Sequence, residues 1–323
     1  MTRDRSGNLA LGPGSEFDRI RRIIERLPGA HGLGDDCGVF PHGGEFIALS
    51  TDVSVEGVHF SLDWIDAEEV GWRATAAALS DLAAEAAQPI GILAAVTMPA
   101  HAPESDLLDL MSGVGAAAKH AGAEVLGGDL STGSAWSVTV TVVGRARSPI
   151  ARRGAVPGNR VWVTGVLGGT RAALGAWQQG KDPLPGARTR FAHPEPRIEA
   201  GVWLAQRGAR AMIDLSDGLA GDVPHLAAAS NVAITIDLDA LPIAVEAQAQ
   251  AKQLDIPVQH FAAEGGEDYE LLVALPREFD DASGFTRACG LPLTLIGVVA
   301  EGSGVHFLMS GAPVELRGYN HFR

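Results

Sequence analysis

Aspartate recurs beside glycine, serine or threonine at four places far apart in the chain: Gly34-Asp35-Asp36, Ser50-Thr51-Asp52, Gly127-Gly128-Asp129 and Asp214-Leu215-Ser216-Asp217-Gly218. Three of the four follow an apolar run, the pattern of a buried strand ending in a loop. Carboxylates gathered at one point repel each other. A fold that brings these segments together must therefore also hold cations, whereas a fold that scatters them uses them as turns and caps. Hard oxygen donors of this kind suit Mg²⁺, which usually takes further oxygens from a substrate phosphate. The expectation is a Mg²⁺–nucleotide site built from aspartates.

The remaining composition narrows the setting. At 323 residues the chain is long for a single core and suggests two halves. A formal net charge of −14 argues against broad attraction to nucleic acid or an anionic membrane. An anionic substrate would need local positive charge, which bound metal would supply. The 2 cysteines, Cys37 and Cys289, offer neither a disulfide framework nor zinc-ligand spacing. The first residues are polar, without the apolar stretch of a signal peptide, and alanine-rich segments are broken by charge. A cytoplasmic protein is expected.

Periodicity gives the outline. Residues 1–15 read as a mobile tail, and residues 16–27 as a helix with Phe17, Ile20, Ile23, Ile24 and Leu27 on one face. Strands are expected at 46–50, 90–98, 124–126 and 137–143, and helices at 67–87 and 104–120. The proline- and arginine-bearing stretch 148–159 reads as a linker. Beyond it, strands are expected at 160–164, 211–213, 232–238, 269–274 and 293–299. The helices there are expected at 168–177, 197–207 and 219–229, with an irregular stretch at 180–196. The mixture is α/β or α+β in two halves, 16–147 and 148–323.

Neither a phosphate loop of the GxxxxGK[ST] kind nor a protein-kinase signature set is present. Gly165-Val166-Leu167-Gly168-Gly169-Thr170 lacks the lysine and reads as a strand-to-helix turn. Phosphate chemistry here would rest on aspartates and Mg²⁺. Asp35 and Asp36 either make a surface turn or approach an ion. Ser50, Thr51 and Asp52 either cap a helix or loop or offer oxygens to a cation. Asp81, in an alanine-rich helix, faces either solvent or a metal, because a lone buried charge is costly. Gly128 and Asp129 form either a tight turn or bare amides for phosphate beside a ligand carboxylate. Asp214 and Asp217 either cap a helix or meet one ion cluster. Arg152 and Arg153 are solvated linker charge or phosphate donors. His59 is a core histidine or a substrate contact.

Taken in order, the strings GEF (with an inserted Ser15), GLGDDC, STD, EGVHF, LSDLAA, GGD, IDLSDGL, GGEDYEL and GYNHF resemble the thiamine-monophosphate kinases, over residues 16–322. That family is similar in fold to the aminoimidazole ribonucleotide synthetases. The resemblance implies a two-domain fold with an N-terminal ATP- and Mg²⁺-binding, dimerising half, and transfer of the ATP γ-phosphate to thiamine monophosphate. It implies a homodimer formed through the N-terminal sheets, with several Mg²⁺ ions. Carried over by motif, the metal ligands are Asp36, Ser50, Thr51, Asp52, Asp81, Asp129, Asp214 and Asp217. The nucleotide contacts are Gly128, Asp129, Arg152 and Ser216, and the contacts to thiamine monophosphate are His59, Glu267 and Tyr319. Departures fall at Leu130, where relatives place threonine after the GGD aspartate, and at Leu316, where some carry tryptophan.

The chemistry expected is direct in-line transfer without a covalent enzyme intermediate, with charge screened by Arg152 and metals. The alternatives are another ATP-using enzyme of the synthetase type and a non-catalytic nucleotide-binding protein.

Overall fold

The computed structural model describes residues 7–27 and 32–319. Its first half runs α1 (Ser15–Ile24), β1 (Gly38–His42), β2 (Glu45–Val55), α2 (Ala67–Ala84), β3 (Gln88–Pro99), α3 (Glu104–His120), β4 (Glu124–Gly133) and β5 (Ser137–Ala146). The strands form a five-stranded sheet in the order β1-β2-β5-β3-β4, antiparallel except for the β3–β4 edge pair. Alternation in β5 decides which face is covered. Val138, Val140 and Val142 are fully buried against α2, and the residues between them turn to the other face. The helix α2 begins in a capping box, in which Asp66 accepts the Glu69 amide and Glu69 returns to the Asp66 amide.

The second half runs β6 (Arg160–Thr164), α4 (Gly169–Gln178), α5 (Pro185–Ala192), α6 (Ile198–Gln206), β7 (Ala211–Asp214), α7 (Leu219–Ser230), β8 (Ala233–Asp237), α8 (Val245–Leu254), α9 (Val258–Ala263), β9 (Leu271–Leu275), α10 (Ala282–Cys289), β10 (Leu293–Ala300), β11 (Gly304–Met309) and β12 (Ala312–Val314). Its seven strands lie in the order β12-β11-β8-β10-β6-β9-β7. The halves share a core: Leu79 and Val140 of the first belong to one buried cluster with Ala173, Phe191 and Ala247 of the second. Among the described residues no helix is long and apolar enough to cross a membrane.

Several expectations change. β2 does not stop at residue 50 and β4 does not stop at residue 126. Ser50-Thr51-Asp52 and Gly127-Gly128-Asp129 therefore lie inside strands rather than in the loops after them. Polar residues in a strand were mistaken for its end, because the two flanking strands continue to pair with them. The irregular stretch 180–196 contains α5, started by Pro185 at its first position. The short elements β1, α8, α9, α10, β11 and β12 lacked a readable period. The expected N-terminal tail is fastened over its described part. The Leu9 amide donates to the Leu33 carbonyl at 2.8 Å, and the Gly12 amide to Nδ1 of His225 at 3.0 Å.

Candidate active site

Three carboxylates from three distant motifs meet at the end of α2. Asp36, Asp81 and Asp214 each offer an oxygen within 4.8 Å of the others. Asp36 comes from the loop before β1, Asp81 from the last turns of α2, and Asp214 from the end of β7. Ser50 of β2 donates its hydroxyl to Asp81 at 2.5 Å. Burial, and then the neighbouring carboxylates, push Asp81 well above the ordinary range. The same causes raise Asp214 to about 7. Asp35 is raised to about 6, by burial first and then by Asp36.

Arg152 answers part of this charge. Its guanidinium donates to Asp36 Oδ1 at 2.5 Å and its amide donates to Asp35 Oδ1 at 2.9 Å. Burial works against the charged form of Arg152, but Asp36 and Asp35 outweigh it and hold the group protonated. One oxygen of Asp36 remains buried with no hydrogen-bond partner. A clustered, all-oxygen donor set with an unsatisfied buried oxygen fits Mg²⁺.

The cluster opens into a cleft of about 610 Å³ between the halves. Asp52, Asp81, Asp214, Ser216 and Asp217 line it together with His59, Glu267 and Tyr319. The walls come from backbone-to-backbone packing of two motifs. The Glu267 amide donates to the Ser216 carbonyl at 2.7 Å, and the Tyr269 amide to the Leu215 carbonyl at 3.0 Å. A β-carbon on Gly266 would lie 2.6 Å from the Ser216 carbonyl oxygen, so the two loops fit only with glycine there. His59 is fixed by the Val55 amide, which donates to its Nδ1 at 3.1 Å. Tyr319, whose amide donates to the Asp217 carbonyl at 3.3 Å, is the last described residue. The rest of the terminal GYNHF string lies outside the described residues.

Three expected site residues are not brought to the cluster. Ser50 and Asp52 point to the helix side of β2, so Thr51 between them points to the outer face, where its hydroxyl meets that of Thr141 at 3.0 Å. Asp129 is in register with Ala95, Thr139 and Val53 across the sheet, a row of the outer face. Two strands, β5 and β3, lie between it and β2, so three strand spacings separate them, about 14 Å. Gly128 has a local reason to be glycine, since a β-carbon would lie 1.8 Å from the Ala94 carbonyl oxygen.

The Gly168-Gly169-Thr170 turn behaves as a helix start and not as a phosphate loop. The Asp268 carboxylate already accepts the Gly168 amide at 2.7 Å and the Thr170 amide at 3.4 Å. Burial raises Asp268 to about 7 although these amides pull it down. Of the departures, Leu130 lies in β4, and Leu316 packs against the core of the second half.

Some residues at the site were missed. Asp222 is buried in the first turn of α7, accepts the Asp217 amide at 3.0 Å, and is raised by burial and then by Asp217. Its signal was its place five residues after Asp217, which reads equally well as a helix-start acid. Arg171 and Glu264 also line the cleft, and they pair at 3.7 Å. Nothing local distinguishes them from surface charges.

The chain matches the family model described as AIR synthase related protein, N-terminal domain, over residues 34–146, and its C-terminal counterpart over residues 156–309. The thiamine-monophosphate kinase of Salmonella typhimurium is 35% identical over 326 residues, covering 95% of each chain. That of Aquifex aeolicus is 33% identical over 316 residues, covering 97% of this chain and 98% of the relative. Among solved structures, AaThiL complexed with AMPPCP and TMP superposes with a TM-score of 0.85 at 32% identity, covering 96% of this chain and 97% of that one. With this likeness running through both halves and through the motifs that build the cleft, the chain belongs to the thiamine-monophosphate kinase family.

Proposed function

We propose that this chain phosphorylates thiamine monophosphate to thiamine diphosphate at the expense of ATP, by direct in-line transfer of the γ-phosphate. The observation that carries the reading is the meeting of Asp36, Asp81 and Asp214 beside a cleft that Asp81 and Asp214 line together with His59, Glu267 and Tyr319. Mg²⁺ held by Asp36, Asp81, Asp214 and the neighbouring Asp52 and Asp217 would neutralise charge on the two anionic reactants. A phosphate oxygen of thiamine monophosphate is already anionic near neutral pH, so the protein need not supply a strong general base. The protein's share is to hold the acceptor phosphate in line and to keep Arg152 next to the developing charge. In the same cleft, the aromatic face of Tyr319 suits a flat cationic ring, and the Glu267 carboxylate suits its charge.

A second copy of the chain fits the outer face of the N-terminal sheet, where Leu49, Val53 and Leu93 are exposed. A homodimer formed there also gives Asp129, Gly128 and Thr51 a route to a nucleotide site that they do not reach within one chain. We take residues 16–147 as the dimerising, metal-binding half, residues 148–323 as its partner half, and the cytoplasm as the working compartment.

The test is ADP release measured with thiamine monophosphate, with thiamine, with formylglycinamidine ribonucleotide and with no acceptor, each with and without Mg²⁺. ADP is expected only with thiamine monophosphate and Mg²⁺ together. Equal release without an acceptor, or consumption of formylglycinamidine ribonucleotide instead, would refute the reading.

A further inference from the structure

Arg73 sits in the middle of α2 and is only 3% exposed. Its Nη1 donates to the Phe191 carbonyl at 2.5 Å, its guanidinium lies 3.9 Å from the centre of the Phe191 ring, and its Nη2 pairs with Glu267 Oε1 at 2.5 Å. A buried guanidinium needs a counter-charge, and this one takes it from the other half of the chain. The acids of the Glu267-Asp268-Tyr269-Glu270 string have separate tasks. Asp268 holds the start of α4. Glu270 is buried and takes Arg197 at 2.6 Å and the Thr164 hydroxyl at 2.6 Å. Glu267 is the one of the three that lines the cleft. Its backbone is left-handed, with φ of +64°, as is that of Tyr269 at +51°, a conformation that non-glycine residues hold only when their surroundings fix it.

We infer that Arg73 is a positioning residue for recognition of the acceptor substrate. It occupies one oxygen of Glu267 and leaves the other to face the cationic end of thiamine monophosphate. The inference rests on the reading of Glu267 as a substrate contact. The same helix carries Asp81 eight residues further on, about 12 Å of helical rise. One rigid element thus carries both Asp81 of the carboxylate cluster and Arg73, the partner of Glu267 in the cleft. The rival explanation is that Arg73 only bolts the two halves together.

Steady-state kinetics on the full chain separate these, with thiamine monophosphate and ATP varied independently in the wild type, R73K, R73M, E267Q and the R73M/E267Q double variant, each with a melting curve. R73M and E267Q are each expected to raise KM for thiamine monophosphate about tenfold or more while KM for ATP stays within about twofold. The double variant is expected to be no worse than the weaker single, because both changes break one contact. R73K keeps the charge without the paired donors and is expected to fall between R73M and the wild type. A lower melting point in R73K and R73M with an unchanged KM for thiamine monophosphate overturns the inference and leaves a structural bridge. If R73M does not fold, R73K alone decides by the same criterion. Raised KM in E267Q with wild-type KM in both Arg73 variants defeats the positioning role alone. Wild-type KM in E267Q defeats the reading of Glu267 on which it stands.

Discussion

The two sheets of this chain are covered differently. In the C-terminal sheet β7 and β9 are buried at every residue. In the N-terminal sheet β4 is exposed at every residue and β2 alternates between covered and open positions. The C-terminal sheet is covered there inside one chain, and its strands β6 and β9 read as continuous apolar runs. The N-terminal sheet has helices on one face only, and leucine, valine and threonine on the other. The same division sorts the chemistry. Ser50, Asp52 and Asp81 lie on the helix side beside Asp36 and Asp214, while Thr51 and Asp129 lie on the open side. A charged cluster is thus assembled by one chain, while Thr51 and Asp129, which the sequence offered for the same site, lie on a face that one chain leaves bare.

The largest effect should come from the helix side. Replacing Asp214 by Asn is expected to cut turnover about a hundredfold or more, because one of three converging carboxylates is gone. Without divalent cations the same change should raise stability, since it removes a buried charge that its neighbours oppose. The pH dependence has a definite sign. Folded Asp214 keeps its proton up to about 7, whereas the unfolded chain releases it near the ordinary aspartate value of 3.8. Between those values the folded state binds more protons, so this group makes the metal-free protein less stable as pH rises from about 4 to about 7. Mg²⁺ should reverse that loss, by about 2.7 kcal/mol when present at a hundred times its Kd. Melting curves at pH 5 and pH 7, with Mg²⁺ and with a chelator, read both trends. A wild type that melts at the same temperature with and without Mg²⁺ at pH 7 would remove the cluster from consideration as a metal site.

On the open side, a lysine at Leu93 should separate the copies, because Leu93 is exposed in one chain and apolar in character. Sedimentation is expected to show a monomer, with turnover about tenfold lower, while far-ultraviolet circular dichroism stays unchanged. Asp129→Asn is expected to lower turnover to a similar degree without altering the mass. If the Leu93 variant keeps the wild-type mass and rate, the open face has some other use, and the contrast between the sheets no longer explains where Asp129 works.

How much of this the sequence made legible follows the same division. The strands β5 and β6 and the helix α3 were readable because their patterns are undisturbed: alternation, a continuous apolar run, and an amphipathic stretch stopped by Gly122. The clustered carboxylates Asp36, Asp81 and Asp214 were readable as residue types, since aspartate beside glycine, serine or leucine in each motif offered an acid to a shared point. What could not be read is direction. Ser50-Thr51-Asp52 looked like one group of oxygens because sequence proximity does not say that the string continues as a strand. Once it does, the middle residue must turn away. Gly127-Gly128-Asp129 failed for the same reason, with the strand order adding distance that no local pattern encodes. Arg73 was unreadable because its counter-charge, Glu267, lies in the other half of the chain.

The smallest predicted effect is the sharpest check on direction, because it compares adjacent residues. The Ser50 hydroxyl donates to Asp81 and so favours the charged form of that carboxylate. Ser50→Ala should raise the Asp81 pKa further and weaken cation binding, so that about tenfold more Mg²⁺ is needed for half-maximal turnover. A tenfold change is about 1.4 kcal/mol, close to the lower end of the roughly 1.5–3 kcal/mol that a hydrogen bond to a charged group contributes. Among the described residues the Thr51 hydroxyl meets that of Thr141 on the open face. Thr51→Val keeps the branched shape and the backbone carbonyl and loses one cross-strand hydroxyl pair, about 0.2–1 kcal/mol. Its Mg²⁺ requirement is therefore expected to stay within about twofold of the wild type. Titrating Mg²⁺ against initial rate in the two variants decides the matter. A Thr51 variant that needs as much extra Mg²⁺ as the Ser50 variant would mean that both hydroxyls reach the cation, and that the open face of the sheet belongs to the metal site as fully as the covered one.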